Sequence, residues 1–492
     1  MSAFNLTAHI LRHADRLGDA PALQVIGEDM ESWSFRALQA AVLGTATGLL
    51  AMGLAPRSRI LMRLGNTVDF PILYLAAMAA DMVPVPTSAQ LTVPEITALT
   101  GLIRPALIAG APGVAMPDAQ VPVMTLDGLR ALRDNPPATP VMGDPERPGY
   151  IVFSSGTSGM ARGVVHAHRA ILARERMISG WYGMTGDDRM LHAGAFNWTY
   201  TLGTGLMDPW SVGATALIPA GIAPADLPRV LADHRATIFA AAPGVYRQML
   251  RHGIAPLPAL RHGLSAGEKL PDATRAAWET ATGKPIFEAY GMSECSTFIS
   301  GSPDHPARPG TLGRPQPGRR VAILGPDGPL PADTPGIISV ATDDAGLMLG
   351  YLDAPDATAE KLRDGWFLTG DTGAMAADGS ITYMGRDDDM MNAGGYRVSP
   401  VEVEDALTAF PGVTEAAAIE VAVKSDTTVI AAVYVAQDAI DETALAAHCA
   451  ARLARYKCPR LFMRAETLPK GANGKILRRT LRQTWPQSWP QT

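Results

Sequence analysis

The chain has 492 residues, 47% apolar and 18% charged, with a formal net charge of −6. That length exceeds what one compact core supports and predicts at least two domains, while the acidic balance and scattered Lys and Arg exclude a nucleic-acid-binding field. The three cysteines, Cys295, Cys449 and Cys458, are too few and too widely spaced for a disulfide scaffold or a zinc knuckle, which points to a reducing compartment.

No basic segment leads into an apolar core at the N-terminus, so no secretory signal is expected and the cytoplasm is the default location. Residues 37–55 carry no charge and approach membrane length, but Gln39, Thr45, Thr47 and several glycines interrupt them. The expectation is therefore a core helix ending near Gly53, with no membrane insertion. Residues 59–64 read as a strand and 68–80 as a helix, followed by Val83-Pro84-Val85-Pro86. This alternation predicts an α/β fold with largely parallel sheets.

Residues 150–153 read as a strand and 166–178 as a helix. Between them lies Ser154-Ser155-Gly156-Thr157-Ser158-Gly159-Met160-Ala161-Arg162-Gly163, small and hydroxylic throughout and closing on one cation. Glycines let successive N–H groups converge on an anion, hydroxyls donate further hydrogen bonds, and Arg162 adds charge, so the segment reads as a phosphate cradle. An ordinary surface turn is the alternative. The G-x-x-x-x-G-K-[ST] pattern is absent.

Asp387-Asp388-Asp389 cannot enter a core together, and Gly394-Gly395 supply backbone freedom just beyond them. A domain junction is placed here, dividing the chain into 1–387 and 388–492; metal binding and a solvated turn are the other roles open to the three carboxylates. A helix is expected to start at Ser399-Pro400, followed by strands over 415–423 and 428–435 and a helix over 442–453. Residues 468–479 then form a glycine-rich turn that presents Lys475.

Taken in order, residues 153–163, 289–294, 365–371, Gly385-Arg386 with Asp388, and 469–479 resemble the motifs of the acyl-adenylate-forming superfamily, which includes acyl-CoA synthetases, peptide-synthetase adenylation domains and luciferases. The resemblance runs over nearly the whole chain. It implies a large N-terminal domain of stacked α/β sheets with a small β-barrel-like part, and a small mobile α+β C-terminal domain turning about Asp388.

The same resemblance implies roles for individual residues, each with a physical reason. Ser154, Ser155, Gly156, Thr157, Ser158 and Gly159 would hold the ATP phosphates, with Ala161-Arg162 standing where the family usually has Pro-Lys. Glu294 would bind Mg²⁺ together with Thr157, because phosphate charge must be offset before a carboxylate can attack phosphorus. Gly267, Glu268, Ala289, Tyr290, Gly291, Met292 and Ser293 would frame the nucleotide. Asp371 and Arg386 would hold the ribose hydroxyls, although a buried structural ion pair is the competing reading. Lys475 would act as a point charge on the reacting carboxylate and α-phosphate.

Coenzyme A is the implied thiol acceptor, lined by Gly394, Gly395, Arg397 and Tyr456. Loading of a carrier protein is the alternative, and a non-catalytic nucleotide binder is a third reading suggested by Ala161-Arg162. For the acid pocket the resemblance implies Asn197, Trp198, Tyr200, Gly203, Gly291 and Phe298. Gly291 aligns with a tryptophan that closes the pocket of acetate-specific enzymes, so a larger aromatic or medium-chain monocarboxylate is expected. The implied partners are that small acid and coenzyme A, without nucleic acid, and the resemblance admits a homodimer.

Overall fold

A computed structural model describes the chain except residues 1, 29, 155–161, 387, 388, 390, 394, 395, 425, 426, 454, 472–474 and 485–492. The chain forms two compact units, residues 1–308, 312–320 and 341–365, and residues 309–311, 321–340 and 366–492. Among the described residues no helix is long and apolar enough to cross a membrane.

The first unit is built on a nine-stranded sheet. Six of its strands, Ile286–Met292, His262–Ala266, Ile238–Ala241, Arg189–His192, Thr215–Pro219 and Pro21–Ile26, run parallel in that spatial order. Antiparallel strands Ser296–Ser300 and Glu31–Ser34 flank them. Burial on both faces explains why the central strands are largely apolar. In Ile238–Ala241, Phe239 and Ala241 join a core with Tyr246 and Trp278, while Ile238 and Ala240 face a second core with Trp181 and Tyr182. A second, four-stranded sheet places Val83–Pro86, Arg59–Arg63, Leu107–Gly110 and Val123–Thr125 side by side, all parallel.

The expected early elements form. Helix Phe35–Ala51 is capped by Ser34, whose hydroxyl accepts from the Ala37 N–H at 3.1 Å, and Asp69–Ala79 is wholly buried. One element differs. Residues 162–167 form a strand, Arg162–Ala167, antiparallel to Pro148–Ser154, and the helix begins only at Ala170. The β-branched Val164-Val165 pair fits a pleated surface better than a helix. The glycine-rich segment thus joins two paired strands, with Ser154 opposite Arg162.

In the second unit, Gly328–Pro329, Val321–Gly325 and Gly336–Ala341 form part of one sheet with Trp366–Met375, which pairs antiparallel with Ile381–Arg386. The C-terminal part holds a three-stranded sheet, Val413–Lys424, Thr427–Ala436 and Leu461–Ala465. Helices Pro400–Thr408 and Glu442–Ala450 accompany it. Ser399 caps the first of these as the Ser-Pro pair predicts, accepting from the Glu402 N–H at 3.4 Å. Contact density places 321–340 and 366–387 with the second unit. Asp388, the expected pivot, lies outside the described residues.

Trp278 is fully buried, edge-on to Tyr246 at 4.8 Å and 6.1 Å from Phe239. Trp278→Ala is expected to cost about 3–5 kcal/mol of stability, read as a lower urea midpoint.

Candidate active site

Chemistry gathers at the carboxyl ends of the parallel strands, where open α/β sheets form their binding crevices. Ala266 pairs with Ala289, so Gly267-Glu268 and Tyr290-Gly291 emerge side by side. The side of Gly267 where a Cβ would stand is open, and its φ of +98° suits glycine. Behind them the buried Glu288 accepts from the Leu270 N–H at 2.9 Å and pairs with Arg275 at 2.9 Å. Burial nevertheless pushes the Glu288 carboxyl above its usual range.

The next turn carries Ser293 and Glu294, between Met292 and its partner Ser296. Glu294 is 7% exposed, and the Tyr351 hydroxyl donates to its Oε1 at 2.7 Å. Tyr351 sits on Gly350–Tyr351, a strand paired with Arg162–Ala167. The Arg162 guanidinium lies 5.2 Å from the Tyr351 ring centroid, so cation and carboxylate both contact this one side chain. Burial and then the Glu294 charge push the Tyr351 phenol well above its usual range, which keeps it a donor. Ser293 is held from behind by His166, whose Nε2 lies 2.7 Å from the Ser293 carbonyl and whose ring stacks on Tyr150 at 4.8 Å. Burial pulls the His166 imidazole down to about 4, so it stays neutral and donates that hydrogen bond.

Ser155, Gly156, Thr157, Ser158 and Gly159 lie outside the described residues, as does the side chain of Ser154. Among the described residues no cluster of three or more His, Cys, Asp or Glu could hold a metal unaided. Glu294 alone still fits Mg²⁺, which is usually held by one or two carboxylates, with phosphate oxygens and water completing the shell. Its Oε1 is engaged by Tyr351, and the carboxylate is fixed in place.

The residues expected around the acid divide into two groups. Asn197, Trp198 and Tyr200 are half-buried on and before the short helix Thr199–Leu202. Tyr200 stacks on Trp181 at 5.8 Å and donates to the Leu264 carbonyl at 3.2 Å. Phe298, by contrast, is fully enclosed between Tyr290, edge-on at 5.3 Å, and the Arg319 guanidinium at 5.8 Å. It supports Tyr290 and presents no surface. A Cβ on Gly291 would collide with the Ser296 carbonyl, and one on Gly203 with the Arg174 guanidinium. Close packing therefore requires both glycines, whatever the size of the acid.

Arg174, which sequence reasoning passed over, anchors this wall. Its Nε and Nη2 meet Asp208 at 2.9 and 2.6 Å, the Tyr182 hydroxyl donates to the same carboxylate at 2.7 Å, and Ser296 accepts from Nη1. Nothing in the run Arg174-Glu175-Arg176 distinguishes a buried arginine from a surface one.

In the second unit the paired strands set Asp371 opposite Arg386, and the two form an ion pair at 3.3 Å. Lys475 is exposed on a turn closed by the Lys470–Ile476 bridge and by the Gly471 N–H donating to the Lys475 carbonyl at 2.9 Å. Arg478, just beyond, pairs with the half-buried Glu404 at 2.6 Å and with Asp389 at 3.5 Å. Gly394 and Gly395 lie outside the described residues, as do the side chains of Arg397 and Tyr456.

Comparison with known proteins adds independent findings. The sequence pattern of the AMP-binding enzyme family matches residues 10–352, and that of the AMP-binding enzyme C-terminal domain matches residues 402–475. The chain is 30% identical to a 3-hydroxybenzoate–CoA ligase of Aromatoleum sp. (strain CIB), over 94% of this chain and 93% of that one. It is 32% identical to the human mitochondrial acyl-coenzyme A synthetase ACSM2A over 67% of this chain and 60% of that one. The crystal structure of the anthranilate CoA ligase AuaEII with anthranoyl-AMP superposes with a TM-score of 0.88 at 25% identity, covering 98% and 97% of the two chains.

Replacing Arg174 by Ala would strand the Asp208 carboxylate in the core. The expected cost is about 3–5 kcal/mol, measured by denaturant unfolding, with Arg174→Lys recovering only part of it.

Proposed function

The chain belongs to the AMP-binding enzyme family, and from that premise we propose that it is an ATP-dependent carboxylic acid–CoA ligase acting on an aromatic monocarboxylate. The observation that carries this reading is the Arg162–Tyr351–Glu294 arrangement, which holds a cation and a carboxylate beside the loop expected to take phosphate. A relative named for an aromatic acid matches over 94% of the chain, whereas the acyl-coenzyme A synthetase ACSM2A matches over 67%, and this favours the aromatic class.

In the first half-reaction an oxygen of the acid attacks the α-phosphorus of ATP and pyrophosphate leaves with the electron pair of the broken P–O bond. Arg162 and the 155–161 loop orient the departing phosphates. Glu294 would hold Mg²⁺, which when bound neutralises phosphate charge. Lys475 stabilises the negative charge that grows between acid and phosphorus. Asp371 and Arg386 position the ribose. In the second half-reaction the thiolate sulfur of coenzyme A attacks the acyl carbon and AMP leaves. Gly394, Gly395, Arg397 and Tyr456 line the thiol approach in this reading, and the small domain turns about Asp388 between the two steps. A cytoplasmic location is carried from the low cysteine count, and a homodimer from the family resemblance alone.

The direct test is pyrophosphate and AMP release with ATP, Mg²⁺ and a panel of benzoates and straight-chain acids, with and without coenzyme A. Acid-dependent AMP release that requires coenzyme A is expected. Pyrophosphate release without thioester would redirect the reading to a carrier-protein acceptor. In the same assay Lys475→Ala is expected to lower acyl-adenylate formation by about 10² to 10³-fold. It should leave thioester formation from supplied acyl-AMP within about threefold of the parent, and equal loss of both steps would refute the assigned role.

A further inference from the structure

His192 ends the strand Arg189–His192, level with Ala240 of the neighbouring strand and beside the acid-pocket candidate Tyr200. The side chain is 1% exposed, and among the described residues neither ring nitrogen has a hydrogen-bond partner. The Thr201 hydroxyl is likewise buried and without one among the described residues. These two groups flank one point, since a Cβ built on Gly194 would lie 3.1 Å from His192 Nδ1 and would collide with Thr201 Oγ1. The His192 ring meets Tyr200 edge-on with centroids 4.4 Å apart, and a Cβ on Gly205 would press on its own Cβ at 2.9 Å. Gly194, Trp198 and Tyr200, the neighbours of these two groups, are only half-buried.

Buried polar groups in native proteins are almost always partnered, and the exceptions concentrate where a ligand or chemistry uses them. We propose that His192 and Thr201 receive an uncharged hydrogen-bonding substituent, a hydroxyl or an amino group, on the ring of the acid, and so set the enzyme's choice of acid. This rests on the acid–CoA ligase reading above.

The chemistry of the corner excludes a second anion. Burial, reinforced by Arg174, pulls the His192 imidazole down to about 3, so it offers one donor and one acceptor and no charge. A threonine hydroxyl has the same dual character. The Arg174 guanidinium, the buried cation of this wall, is already bound to both oxygens of Asp208. A hydroxyl or amino group can satisfy the two partners reciprocally, whereas an unsubstituted ring leaves both orphaned. Sites built to hydrogen-bond a substrate group discriminate strongly against the analogue that lacks it.

The test compares kcat/KM for benzoate with that for each hydroxy- and aminobenzoate, using the parent protein and the variants His192→Leu, His192→Gln and Thr201→Val. One substituted isomer is expected to exceed benzoate by about 10²-fold. His192→Leu is expected to remove most of that preference while changing benzoate turnover by less than about threefold, with His192→Gln retaining part of it. Thr201→Val supplies the same readout if the leucine variant fails to fold. Equal turnover of benzoate and all substituted acids by the parent, or equal loss on both classes in the variants, overturns the inference and leaves the ligase reading intact. If no acid drives ATP consumption, the ligase reading fails and takes this inference with it.

Discussion

One hydrogen bond, from the Tyr351 hydroxyl to Glu294 Oε1 at 2.7 Å, joins the two halves of the chemistry in the first unit. Glu294 lies at the turn after the last parallel strand of the nine-stranded sheet, and Tyr351 lies on a strand paired with the far arm of the glycine-rich hairpin. Without that contact a mostly buried carboxylate would lose the donor on one of its oxygens, and a hydrogen bond to a charged group is worth about 1.5–3 kcal/mol. The backbone reinforces it, because the Met348 N–H donates to the Glu294 carbonyl at 2.7 Å. Cation, ring and carboxylate are therefore held together where strand Arg162–Ala167 begins.

That arrangement depends on a rigid sheet. Two faces packed against separate cores leave its strands little freedom, and their carboxyl ends become fixed mounts for Gly267, Tyr290 and His192. Groups mounted on strands are held more tightly than those on loops. The buried Arg174–Asp208–Tyr182 network does the same for the wall behind Tyr200, and it explains Gly203 through packing.

Much of this was legible in the sequence, because periodicity and punctuation are local. The helix over 35–51, the strand over 59–63, the Ser399 cap and the strands after it follow from patterns a few residues long. The order of the glycine-rich and acidic motifs gave the family. What was not legible depends on contacts distant in sequence. Nothing near Tyr351 announces that its hydroxyl meets a residue 57 positions away, and nothing near Arg174 announces a carboxylate 34 positions on. The strand over 162–167 was missed, its start read as loop and its last two residues as helix, because its pairing with 148–154 is a tertiary fact, although Val164-Val165 carried the signal. Gly291 and Phe298 were read as pocket walls because an alignment position says which residue stands there and not what its Cβ or ring would touch. In this fold the one abuts the Ser296 carbonyl and the other is enclosed.

The central claim is that Tyr351 acts on the nucleotide through Glu294, and a double-mutant cycle on Mg²⁺–ATP affinity tests it most directly. Calorimetric titration of the parent protein, Tyr351→Phe, Glu294→Gln and the double variant supplies the four values. The account predicts that Tyr351→Phe weakens binding about tenfold in the parent background, as expected for a lost hydrogen bond to a charged group, and less than about twofold once Glu294 is Gln. Equal losses in both backgrounds would contradict it, showing that the tyrosine and the carboxylate work independently.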